Sequence, residues 1–145
     1  MGFKEAIRTC LNKYVTFSGR ASRSEYWYFY LFIMLVALVL GGIGFAAMDF
    51  DRQEPTTVSI IFFGALGIFY LGILLPLISV QVRRFHDRNI SGWWFLGLIV
   101  LGAVPFVGIL ASIAAFVITV LKGTDGDNRF GPDPLKMQNR AEVFA

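Results

Sequence analysis

Charge is scarce in this sequence, and so are the side chains that carry most redox and metal chemistry. Only 16% of the residues are charged, for a formal net charge of +3, where a soluble domain is usually about a quarter charged. So small an excess, with no basic stripe on a polar face, sets nucleic acid aside as a partner. Cys10 is the single cysteine, which excludes an intramolecular disulfide framework. The single histidine, His86, stands far from it in the chain, and one of each does not make a metal ligand set. No cofactor is expected. The most informative absence is local. The stretches Trp27 to Met48, Thr57 to Val80 and Gly92 to Leu121 contain no Asp, Glu, Lys, Arg or His. Proton relays and ion pathways place such residues inside their spans. A pump or coupled transporter is therefore disfavoured, while a passive pore lined by backbone or hydroxyls stays open.

What is present is apolar. Hydrophobic residues make up 56% of the chain, with 15 Phe and 15 Gly. The first uncharged run would span ~33 Å as a helix and the second ~36 Å, each enough for a hydrocarbon core of roughly 30 Å. Pro76 falls late in the second run and should kink or loosen its last turns. The third run would measure ~45 Å as one helix, too long without strong tilt. Gly102, Pro105 and Gly108 interrupt it, which suggests pieces of ~18 and ~24 Å. The expected fold is all-α: a polytopic helical membrane bundle with two full spans plus a Pro/Gly-broken hairpin, about four membrane helices. The reading is a single membrane domain over 1–145, with spans at 26–48 and 57–80, the hairpin at 93–121 and a polar tail at 122–145. The tail reads as loop with a short helix near its end. Ala37/Gly41, Gly42/Ala46, Gly108/Ser112 and Ala111/Ala115 are small pairs that would let helices approach closely.

The basic residues orient the bundle. Five Lys or Arg precede the first span, Arg52 lies in the acidic loop 49–56, three lie in the second loop and four follow the third run. The positive-inside rule places the N-terminus and second loop in the cytoplasm. A hairpin around Pro105, as two short crossings or a re-entrant pair, keeps Lys122, Arg129, Lys136 and Arg140 inside as well.

The stretch of about 25 residues before the apolar run at Tyr26 is not expected to be a cleavable signal peptide, because Lys4, Glu5, Arg8, Lys13, Arg20, Arg23 and Glu25 are spread through it. Phe3, Ile7, Cys10, Leu11, Tyr14 and Val15 share one helical face. This amphipathic helix, within 1–20, would lie in the membrane interface, pack on the bundle, or both. Gly19 breaks it, and Ser22 with Glu25 has the spacing of a capping box for the first span. Tyr26, Trp27, Tyr28 and Tyr30 suit the headgroup level, as do Trp93 and Trp94, and the three tryptophans are the expected interface anchors.

The segments "FSGRASRSEYW", "RRFHDRNISGWW" and "GTDGDNRFGPDP" together resemble the hallmarks of the domain-of-unknown-function family numbered 805. The match runs from about Phe17 to Pro134 in the family order. The resemblance implies a small bacterial inner-membrane protein and supplies no activity. All three segments fall on the expected cytoplasmic side, which makes that side the expected working surface.

The chemistry concentrates at Glu25, Arg83, Arg84, His86, Asp87, Arg88 and Arg129. His86 beside Asp87 suggests acid–base work, but no nucleophile is paired with them and adjacent helical residues do not face each other. Arg83, Arg84 and Arg88 have the fork to grip lipid phosphates, or serve only to keep the loop inside. "DGDNRFGPD" falls short of a calcium loop, with Phe130 and Lys136 at its glycine and glutamate positions. Asn89-Ile90-Ser91 fits a glycosylation sequon that a cytoplasmic loop would never expose. Glu25 starts the first span and Arg83 and Arg84 end the second, so an ionic clasp between them is expected, with Asp87 holding Arg129 from the tail. The functional expectation is a non-enzymatic integral membrane protein that binds membrane lipids, anionic headgroups among them, or a protein partner or second copy through this cytoplasmic cluster. The alternative is an oligomeric small-solute channel. Reporter fusions after Asp51, Asp87 and Ala145 should read outside, inside and inside; a periplasmic C-terminus would rule out the hairpin.

Overall fold

The computed structural model describes residues 1–49 and 54–136. Residues 50–53, with Arg52, and the short helix expected near the chain's end, with Arg140, lie outside the described residues. Five helices follow in order: α1 Phe3–Asn12, α2 Arg23–Ala46, α3 Thr57–Asp87, α4 Trp93–Gly102 and α5 Val107–Val120. The described residues are helical apart from turns and two isolated bridges.

Each long helix begins where a hydroxyl can take an orphaned amide. Ser22 Oγ accepts from the Glu25 amide at 3.2 Å, as the capping-box spacing predicts. Thr56 Oγ1 accepts from the Ser59 amide at 3.2 Å and donates to Ala47 O at 2.6 Å, pinning the start of α3 to the end of α2. Paired Asp49 and Glu54 amides and carbonyls close the loop between them. α2 and α3 are both long and apolar enough to cross a membrane. α4 and α5, at ~15 and ~21 Å, are short of that. They form a hairpin whose tip is Phe106, at φ +64°. Its closure is tight, since a Cβ on Gly108 would lie 2.5 Å from Gly102 O.

Two boundaries differ from expectation, and contacts between α3 and the segment after α1 explain both. α3 does not loosen at Pro76 and end near Val80; it continues to Asp87. Pro76 has no N–H, so the carbonyl of Gly72, one turn back, loses its helical partner. The Tyr14 hydroxyl donates to that carbonyl instead. A few residues on, Ser79 Oγ donates to Lys13 O at 3.0 Å and Thr16 O at 2.6 Å. The chain after Asn12 is thereby drawn onto α3, so the first helix stops there rather than running to Gly19.

α2 and α3 pack along their length. They come close at Gly44, where a Cβ would stand 3.1 Å from the Phe63 ring. Gly41 meets Leu66 at ordinary contact distance, whereas Gly42 and Ala46 face outward. That small pair is not a seam between these helices. Phe29, Ile33, Ile73 and Val80 form the core between α2 and α3, and Cys10 and Ala21 close its charged end. Trp27 lies edge-on to Phe116 of α5, so its ring serves a helix–helix contact, while Trp93 and Trp94 are exposed. Elsewhere the helices expose their apolar side chains, with Leu38, Leu71 and Leu110 all about 70% accessible or more. The two largest fully buried side chains are Arg83 and Arg84. This inversion of the soluble pattern is what a protein solvated by lipid requires.

α1 packs its Ala6 and Cys10 inward and leaves Leu11 exposed, as are Val15 and Phe17 in the segment that follows it. Burial, reinforced by the Glu25 carboxylate, pushes the Cys10 thiol up to about 12. It therefore stays protonated at neutral pH, and only the thiolate is nucleophilic. Maleimide at pH 8 should leave Cys10 unmodified in the folded protein and label it fully after denaturation in dodecyl sulfate. Rapid labelling before denaturation would show α1 undocked.

Candidate functional site

The last two turns of α3 gather nearly every charged side chain that the helices bury. A helix ends with carbonyls that have no helical partner, and here three different segments supply the donors. The Ala21 amide, from the loop before α2, donates to Arg83 O at 3.1 Å. The turn after α3 returns the amides of Arg88 and Ile90 to Phe85 O, with Asn89 at φ +59°. From the tail, Asn128 Nδ2 donates to His86 O at 2.9 Å, and the Thr124 amide donates to Asp87 O at 2.8 Å. The loop before α2, the α3–α4 turn and the tail thus meet on one helix end.

Side-chain charges follow the helical wheel. Arg83 and Arg84 are neighbours in sequence and diverge by about 100° around the axis. Arg83 turns toward α2 and α1 and pairs with Glu25, whose other neighbour is the Cys10 thiol at 3.8 Å. Glu25 sits in the first turn of α2, where the helix dipole favours a carboxylate. Arg84 turns toward α5. It pairs with Asp87 three residues on, and donates to Thr119 O at 3.0 Å and to Leu121 O. It therefore caps the C-terminal end of α5, where a cation is favoured. The expected clasp from Glu25 to both arginines is corrected to Arg83 alone.

Asp87 does not hold Arg129. Its second arginine is Arg20, with Nε at 2.9 Å from Oδ1. Arg20 also donates to Thr124 O at 2.6 Å and Gly126 O at 2.5 Å, clamping the tail under it. The fit is close enough that a Cβ on Gly123 would fall 2.0 Å from Asp87 Oδ2. Arg129 instead donates to Asn89 O at 3.1 Å and lies 4.7 Å over the Phe130 ring. Arg88 donates to Lys122 O and keeps a buried Nε without a partner. His86 turns from Asp87. Its Nδ1 donates to Gly19 O at 3.1 Å and its ring stacks on Phe130 at 4.0 Å. His86 and Asp87 therefore do not form an acid–base pair. In the tail, Asp133 accepts the amides of Leu135 and Gly126, and Asp127 accepts that of Asp133. These carboxylates close turns.

Three arginines face two carboxylates in this interior, all nearly inaccessible. The positive excess is offset by helix-end and tail carbonyls, although Arg83 Nε and Nη2 lack partners. Arg20 escaped the sequence reading. Its position between the Gly19 break and the Ser22 cap was the available signal, since a loop there must pass the end of α3.

The model for the family described as "Protein of unknown function (DUF805)" matches residues 14–132. This chain belongs to DUF805. The DUF805 relatives include the inner membrane protein YhaH of Escherichia coli K12, 39% identical over 124 residues, covering 86% of this chain and 91% of YhaH. The inner membrane protein YhaI of the same organism is 36% identical over 125 residues, 86% of this chain and 90% of its own. No solved structure matches. The DUF805 match covers the three segments that meet on α3 almost entirely. The relatives support an inner-membrane location, in agreement with the lipid-suited surface.

The pairing pattern is testable by double-mutant cycles on thermal unfolding in detergent. Glu25→Gln should couple with Arg83→Gln and not with Arg84→Gln, while Asp87→Asn should couple with both Arg20→Gln and Arg84→Gln. Each single change should destabilise by about 3–5 kcal/mol, as breaking a buried pair does. Gly123→Ala should destabilise without altering charge. Strong Glu25–Arg84 coupling would overturn this arrangement.

Proposed function

We propose that this is a non-enzymatic inner-membrane protein that holds anionic lipid headgroups at the cytoplasmic leaflet. One observation carries the reading. Arg20, Arg83 and Arg84 are consumed inside the protein, but a cleft of about 250 Å³ beside Arg20 and Asp87 is walled by Arg23 and Lys122, with Asp125 and Asp133 also on its wall. Arg23 has no carboxylate partner among the described residues. Lys122 has only Asp125, in a pair open to water that contributes little. Two cations on one rim, at the level where the apolar helices end, suit a headgroup phosphate.

On this reading the buried arginine–carboxylate interior is scaffold and the outer cations are the working surface. The concentration of basic residues at that end supports a cytoplasmic orientation for it by the positive-inside rule. α4 and α5 then enter and return as a short hairpin. A small-solute channel draws less support, because the buried charged side chains gather at one end rather than along a path across the bundle.

The test is binding of phosphatidic acid, the bare headgroup phosphate, to delipidated protein by native mass spectrometry. At about 1 kcal/mol per cation, Arg23→Gln with Lys122→Gln should weaken binding roughly thirtyfold, and the melting temperature should be unchanged. Undiminished binding by the double variant would overturn the proposal.

A further inference from the structure

On the opposite flank of α3 an apolar groove of about 570 Å³ runs between Ile78 and Val82 of α3 and Trp93 and Leu96 at the start of α4. Its closed end is defined by Gly92, where any Cβ would stand 2.5 Å from Val82 Cγ1. His86 and Phe130 form its polar end. None of these residues belongs to the cleft lined by Arg23 and Lys122.

The chemistry of the polar end is constrained. Gly19 O can only accept a hydrogen bond, so His86 Nδ1 must be the donor. In the neutral ring Nε2 is then a bare acceptor. It points toward Gly92, at 3.3 Å from the position of that missing Cβ, and has no protein partner. Stacking on Phe130 holds the imidazole plane fixed. Arg129, over the same Phe130 ring, brings a guanidinium with no carboxylate partner among the described residues. Within one short stretch the surface therefore offers a hydrogen-bond acceptor, a cation and an apolar slot. The complementary molecule combines an acyl chain for the slot with a phosphate for the cation and a hydroxyl for the acceptor.

We propose that this groove is a second lipid site, taking one acyl chain of a bilayer phospholipid whose headgroup carries a hydroxyl beyond its phosphate. The chain lies along Ile78, Val82 and Leu96, the phosphate meets Arg129, and the hydroxyl donates to His86 Nε2. Exposed Trp93 beside the slot places it at the depth where headgroup and chain join. This site goes beyond the proposed headgroup cleft and does not depend on it.

The experiment uses the full chain with Trp27→Phe and Trp94→Phe, leaving Trp93 as sole fluorophore, in phosphatidylcholine nanodiscs. Guest lipids with brominated acyl chains quench a tryptophan they touch. At a low, equal mole fraction, brominated phosphatidylglycerol should quench Trp93 with about fivefold higher apparent affinity than brominated phosphatidylcholine, the effect of one nearby cation. Brominated phosphatidic acid, which has the phosphate without the hydroxyl, should fall between them. Arg129→Gln should remove the preference of phosphatidic acid over phosphatidylcholine and reduce that of phosphatidylglycerol. Ile78→Phe, which fills the slot from a lipid-facing position, should remove quenching beyond that of bulk lipid. Circular dichroism checks that each variant is folded. Arg23→Gln with Lys122→Gln should leave Trp93 quenching intact, which separates this site from the cleft. Equal quenching by all three guests in the unmodified groove would overturn the proposal. So would a preference undiminished by Arg129→Gln, or one that vanishes with the cleft variant.

Discussion

The carboxylate of Asp87 holds the charged end of the bundle together. One oxygen takes Arg20 from the loop before α2, and the other takes Arg84 from its own helix. Each arginine then spends its remaining N–H groups on carbonyls elsewhere, Arg20 on the tail and Arg84 on the end of α5. A single carboxylate thus fixes three segments that share no secondary structure. The arrangement needs burial to be specific, since exposed pairs are screened and weak. Burial in turn requires that almost every polar atom find a partner. Gly123 is part of the same constraint, because only a residue without a side chain lets the tail backbone pass so close to Asp87.

The contrast between this end and the rest of the chain reflects two solvents. Along most of α2 to α5 the side chains facing outward are apolar, because lipid gives no reward for hiding them. At the charged end the protein makes its own polar interior, and helix ends provide much of it. The N-terminus of α2 stabilises Glu25, and the C-terminus of α5 stabilises Arg84. Pro76 belongs to the same economy of unpaired groups. It frees the Gly72 carbonyl, which Tyr14 uses to dock the segment that follows α1.

In this chain the geometry divides the cations into two kinds. Arg20, Arg83 and Arg84 are internal, and their loss would be felt as instability. Arg23, Lys122 and Arg129 have no buried carboxylate partner, and their loss would be felt at whatever they contact. Sequence alone could not sort them, since each lies in or beside a segment rich in Gly, Ser and Asp.

The sequence by itself determined the helical class, the two long helices, the Gly/Pro-broken hairpin and the concentration of charge in three segments. These follow from composition and from runs that exclude charge, which are local properties. It also contained the Ser22 cap, because capping depends on spacing within one turn. Glu25 paired with an arginine was legible from helix ends alone. Which arginine was not: the separation of Arg83 from Arg84 depends on where α3 faces α2 and where it faces α5. The choice of Arg20 over Arg129 for Asp87 was decided only by the path of the loop at Gly19 and of the tail at Gly123. The extension of α3 past Pro76 was decided by a tyrosine nearly sixty residues away in sequence. Contacts of that range depend on packing several elements at once, and no local pattern encodes them.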